Sequence, residues 1–86
     1  MNPVDTYFRV PTDTDRKIEY LYDFARIIWA DGKVDDEERR VLKKYCVIFG
    51  FEVDSASELS DWLLENAKEN ISHKELITKI KNLLNT

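Results

Sequence analysis

From Ile18 to Trp29 the apolar residues return every three or four positions, as Ile18, Leu21, Tyr22, Ala25, Ile28 and Trp29. An α-helix needs that period to keep its apolar side chains on one face. Two glycines and two prolines in 86 residues leave too little turn material for an all-β fold. The spacing predicts a first helix over residues 13–30, capped by Thr12 or Thr14, with Asp13 and Asp15 in the first turn where the helix dipole favours negative charge. Tyr20, Phe24 and Ile27 fall on the other side of that helix when positions advance by about 100°. A helix that is apolar on two sides needs two covers. The core is one. The other is either the chain's own first residues, which supply Val4, Tyr7, Phe8 and Val10, or a partner chain.

After an Asp31-Gly32 turn, Asp35 and Glu38 have the spacing of a capping box, in which a cap oxygen and the third helical residue satisfy each other's backbone donors. A second helix is expected from about Asp35, with Val41, Leu42, Tyr45, Cys46 and Phe49 inward and Arg39, Arg40, Lys43 and Lys44 outward. Asp35 with Arg39 and Asp36 with Arg40 are favourably oriented i,i+4 pairs. Gly50 supplies the left-handed stop. Phe51 and Val53 then make a short apolar hinge, and Asp54 or Ser55 can cap a third helix with Leu59, Trp62, Leu63 and Ala67 on its buried stripe. Ser72 and Glu75 repeat the cap spacing before a fourth, whose inner face is Leu76, Ile77, Ile80, Leu83 and Leu84 and whose wet face carries Lys74, Lys79 and Lys81.

The expected architecture is all-α: a compact bundle of about four helices, arranged as two helical hairpins, with an extended N-terminal arm over residues 1–12 and one domain over 13–86. The stretch from Ala30 to Glu38 (ADGKVDDEE) echoes the one from Ala67 to Glu75 (AKENISHKE), with Val34 matching Ile71 and Glu38 matching Glu75. Asp31 and Gly32 have no counterpart in the second turn, so only the capping logic repeats.

A net charge of −4 and an isoelectric point near 4.9 argue against nucleic acid and anionic lipid as partners. No stretch reaches the roughly 18 apolar residues that suggest a membrane span, so no membrane insertion is expected. One cysteine excludes an intramolecular disulfide framework and fits a reducing, cytoplasmic setting. Cys46 reads as a small core residue, and the single histidine, His73, as a surface residue of a first helical turn. No nucleophile elbow, phosphate-cradling glycine loop or histidine metal motif occurs. An enzyme is not expected.

The acidic turn partly copies a calcium loop. With Gly32 at loop position 6, Glu38 falls at position 12, where the bidentate glutamate belongs. Positions 1 and 3 would then be Ile27 and Trp29, which cannot supply oxygen ligands from their side chains, so an EF-hand is excluded. What is left is a short set of hard oxygens on Asp31, Asp35, Asp36 and Glu38, each of which also has an ordinary task in starting a helix.

The run FARIIWADGKVDDEERRVLKKYCVIFGF resembles the first helical hairpin of TerB-like domains of the tellurite-resistance family. Ala30, Asp31, Gly32, Val34, Glu38, Leu42 and Gly50 carry the likeness, and it extends more loosely over residues 16–86. The resemblance implies an all-α accessory protein linked with metal-ion or tellurite stress. It also implies divalent-cation binding through the acidic turn, carried over here to Asp31, Asp35 and Glu38 with Asp36 and Glu37 as neighbours. Fuller versions of the domain repeat the Ala-Asp-Gly turn in a second half, which the second turn of this chain does not do. Two readings follow. The first is a small non-enzymatic protein-interaction module, with another protein or a second copy as partner, using Tyr20, Phe24 and Ile27 or presenting the acidic turn to a basic partner, with no cofactor established by the sequence. The alternative is a weak Ca²⁺- or Mg²⁺-responsive domain using residues 31–38.

Overall fold

The computed structural model describes residues 13–84, with the side chain of Leu84 left outside the description. The N-terminal arm, with Val4, Tyr7, Phe8 and Val10 as a cover for the first helix, lies outside the described residues. So does the inward placement of the Leu84 side chain.

Helix α1 spans Thr14–Ile28. Its cap is Asp13, whose side chain accepts a hydrogen bond from the Asp15 amide at 2.9 Å, in place of the threonines on either side. Asp combines the cap oxygen with the negative charge favoured at a helix N-terminus. The helix stops short of residue 30 because the chain tightens into a 3-10 turn at Trp29–Asp31. Trp29 fixes that turn, since its indole Nε1–H donates to the Leu64 carbonyl of a later helix at 2.7 Å. Gly32, at φ 80°, then reverses the chain in the left-handed region.

Helix α2 spans Asp36–Ile48 and opens on a complete capping box. The Glu38 amide donates to Asp35 Oδ1 at 2.8 Å, and the Asp35 amide donates to Glu38 Oε1 at 3.2 Å. At its other end the Gly50 amide donates to the Val47 carbonyl and the Phe51 amide to the Cys46 carbonyl, the paired bonds of a Schellman stop. Helix α3, Val53–Glu69, begins so soon after this stop that Glu52 occupies the cap position with no side-chain bond. Asp54 and Ser55, expected as caps, lie inside the helix, and Asp54 still suits its dipole. Asn70, at φ 55°, ends α3 in the left-handed region. Helix α4, His73–Leu84, follows, with Ser72 Oγ accepting from the Glu75 amide at 3.1 Å.

These four α-helices make up an all-α bundle, and no strand occurs among the described residues. Its core is Ile18, Leu21, Tyr22, Ala25 and Ile28 from α1, Leu42 and Cys46 from α2, Ala56, Leu63, Leu64 and Ala67 from α3, and Leu76 from α4. Helix α3 packs along both α1 and α2, while α4 rests chiefly on α1. Leu59 and Trp62 are only partly buried, and Ala56 and Leu64 do more of the sealing than the expected stripe suggests. Leu83, expected inside, is exposed. Val34 and Ile71 both pack against the core from their turns, so the internal echo extends to packing.

Two expectations for α2 need correction. Val41 and Tyr45 stand on its outer flank, because Leu42 and Cys46 alone fill the narrow strip that α3 covers. Arg39 reaches across to Asp61 of α3 at 3.4 Å instead of back to Asp35, whose carboxylate is held by the cap. No Asp36–Arg40 pair forms among the described residues.

Candidate functional site

The connection from α1 to α2 is a short turn, so the two helices run antiparallel. Two contacts fix how they sit. A Cβ on Gly50, past the end of α2, would lie 3.5 Å from Nζ of Lys17 in the first turn of α1. Near mid-helix, the Phe24 and Tyr45 rings meet with centroids 5.0 Å apart. With Phe24 opposite Tyr45, a rise of about 1.5 Å per residue brings Tyr20 alongside Ile48 and Ile27 alongside Val41.

Tyr20, Phe24 and Ile27 are spaced i, i+4, i+7 along α1, and Val41, Tyr45 and Ile48 have the same spacing along α2. Each set lies on one side of its helix. The ring contact places Phe24 and Tyr45 in the seam between the two helices, while Ile27 also borders the end of α3. Phe24 is partly buried against the core in that seam. Tyr20 is 58% exposed, Ile27 70% and Ile48 53%, with Val41 and Tyr45 near 40%. Of the three residues expected on a partner surface, Tyr20 and Ile27 are therefore open while Phe24 joins the two stripes. The α2 half of the face was missed because Val41 and Tyr45 were assigned to the core. The repeated i, i+4, i+7 pattern is the signal that could have found it.

The acidic turn has a different geometry. Asp35 and Glu38 hold each other's backbone amides, and Asp31, Asp36 and Glu37 point into solvent. Among the described residues no three His, Cys, Asp or Glu side chains come together as a metal cluster. Ca²⁺ takes six to eight oxygen ligands, and this set does not fit it.

A polar seam that the sequence did not reveal joins α1 to α3 and α4. The Tyr22 side chain is fully buried, and its hydroxyl donates to the Ile71 carbonyl at 2.7 Å, with the Asn66 carbonyl at 3.2 Å. Burial raises its pKa above 10.0, partly offset by the nearby Arg26 charge and the bond to Ile71. Asn66, buried on α3, donates to the Trp62 carbonyl and accepts from Lys79 Nζ of α4 at 2.8 Å. His73, expected as a plain surface residue, bridges two helices: Nε2 lies 2.6 Å from Asp23 Oδ1 and Nδ1 lies 3.7 Å from Glu19 Oε2, with the ring edge-on to Tyr22. Only the folded pairing of α4 with α1 places those carboxylates 50 and 54 residues from their partner, beyond any local spacing rule.

An open cleft of about 750 Å³ lies beyond this seam, between the ends of α1 and α3, and Trp29, Ile27 and Ala67 line it. Arg26 and Lys68 stand at its rim, each over an aromatic ring, Tyr22 and Trp29 respectively. Both lie in the last turn of their helices, where a cation complements the dipole. Cys46 is buried, and burial pushes its thiol up to about 11, so it is inert at neutral pH. Among the described residues no helix is long and apolar enough to cross a membrane. Comparison with protein-family models, with curated proteins and with solved structures finds no match to this chain.

Proposed function

We propose that this chain is a non-enzymatic helical module that binds protein through the α1–α2 face, an accessory domain of the kind the TerB-like resemblance implies. One observation carries the reading: two apolar stripes of identical spacing meet at Phe24 and Tyr45 and continue outward into exposed Tyr20, Ile27, Val41 and Ile48. Isolated exposed apolar residues are ordinary on a small domain. A contiguous set drawn from two helices is what interaction surfaces provide. The tellurite or metal-ion stress setting comes with the resemblance, and the cytoplasmic location is supported by the single thiol, which is buried and reduced. The cation-responsive alternative has less support, because Asp35 and Glu38 are committed to the cap.

A photocrosslinking residue placed at Ile27 in the producing cell tests the proposal. A discrete protein adduct is expected from this position and not from Glu65, which is exposed on α3. Equal labelling from both positions, or none from Ile27, would overturn it.

A further inference from the structure

From Phe51 to Thr86 the chain contains no glycine and no proline. The two residue types that most readily interrupt a helix are therefore missing where α3 gives way to α4. A single backbone reversal makes that turn: Asn70 stands at φ 55° and ψ 46°, and among the described residues it alone combines a side chain with a positive φ. Its amide donates to the Ala67 carbonyl at 3.0 Å, Ser72 Oγ caps α4, and the Tyr22 hydroxyl of α1 holds the Ile71 and Asn66 carbonyls. Both carbonyls have other donors within reach. In an uninterrupted helix Asn66 accepts from the Asn70 amide and Ile71 from the Glu75 amide, four residues on. Straightening the turn strands neither, and it releases Asn70 from a conformation that L-residues disfavour.

We infer that the α3–α4 turn is a hinge, which straightens at Asn70 into one helix over Val53–Leu84 and lets two copies of the chain exchange α4. The seat that α4 leaves suits the same helix of a second copy. Leu76 is the residue it contributes to the buried core, with Ile80 partly buried beside it. The rest of the attachment is the His73 bridge to Asp23 and Glu19 and the contacts of Lys79 with Asn66 and Glu69. Exchange re-forms each of these contacts between copies and changes only the turn. The joined helix is about 48 Å long, and each end of it completes a bundle. This inference stands apart from the interaction reading above, because α4 takes no part in the α1–α2 face. An exchanged dimer carries that face twice on one particle, which raises avidity for any partner that displays repeated sites.

The full chain, held at about 1 mM and then diluted to about 10 µM for gel filtration, tests the hinge, since exchange is favoured by concentration. An exchanged dimer must reopen before it separates, so a species of twice the 10.2 kDa chain mass is expected to outlast the dilution. Asn70 is exposed, so changes there leave the core intact. Asn70→Ala makes the turn harder to hold and should raise the dimer constant at least about tenfold. Asn70→Gly adopts the left-handed region freely and should lower it. Equal dimer fractions in the two variants overturn the inference, and so does a monomer throughout. In a dimer formed from mixed Asp23→Cys and His73→Cys chains, a short bismaleimide should join one chain to the other, because α4 of each then rests on α1 of the other. Cys46 is buried and stays unlabelled. A dimer that does not join is not exchanged, and the hinge falls with it.

Discussion

Cys46 has no exposed surface, and its thiol is pushed up from 9.0 to about 11. Below pH 9 the thiol is protonated in the folded and the unfolded chain alike, so its contribution is fully present. Between pH 9 and 11 the unfolded chain gives up the proton while the folded one keeps it, and stability falls as pH rises. Tyr22 is shifted in the same direction from 10.0, and a tyrosinate could no longer donate to the Ile71 carbonyl. Urea midpoints should therefore decline across this alkaline window, and Cys46→Ala should flatten the lower part of the decline while leaving the part above pH 10. At Asp35 the expected cost is larger than at its acidic neighbours. Asp35→Ala removes a cap oxygen and frees the Glu38 amide, for about 1 kcal/mol, whereas Asp36→Ala or Glu37→Ala loses only dipole and surface charge, for about 0.3–1 kcal/mol. Denaturant melts of the three variants would rank them, and millimolar Ca²⁺ should move none of the midpoints.

The helices themselves were legible because each has a period and a stop. Gly50 is an example: its φ of 103° and the two amide bonds around it end α2 where the sequence requires. Gly50→Ala forces a side chain into a conformation L-residues avoid and brings it to 3.5 Å from Lys17 Nζ. Neither added Cβ clashes, since 3.5 Å is ordinary van der Waals contact and Gly32 meets nothing within 4 Å, so each bears a backbone cost of about 1–2 kcal/mol, the greater at Gly50, whose φ of 103° lies further from the left-handed helical value than the 80° of Gly32. Thermal melts should place Gly50→Ala below Gly32→Ala. Caps were less legible than helices. Asp13 outcompetes two threonines because it brings charge as well as an acceptor, and Glu52 becomes a cap only because a Schellman stop delivers the chain there. Least legible was which side of α2 faces inward. Val41, Leu42, Tyr45 and Cys46 are all apolar, and the choice depends on where α3 lies. The α1 half of the candidate face could be read from Tyr20 and Ile27; the α2 half could not, for that reason.

For the molecule as a whole, the distribution of burial sets an order of local stability. Helices α1 and α3 supply nine of the twelve residues of the buried apolar core, and α4 supplies only Leu76. Amide exchange should be slowest around Leu21–Ala25 and Leu63–Ala67 and faster along α4, which can open without dissolving the rest. His73→Ala, which removes the bridge to Asp23 and Glu19, should quicken exchange in α4 and leave the centre of α3 nearly unchanged. An equal acceleration in both helices would show that α4 is not a separate cooperative unit.

The two tryptophans divide the bundle in the same way. Trp29 is tied to the Leu64 carbonyl with the Lys68 ammonium over its ring, at the junction of α1 and α3. Trp62 lines a shallow depression with Lys79, Asn82 and Leu83 of α4. The chain thus carries two built-in fluorophores at two different seams. In Trp62→Phe the remaining emission follows the stable centre, and in Trp29→Phe it follows the departure of the last helix, so two optical channels can time the order in which the bundle comes apart.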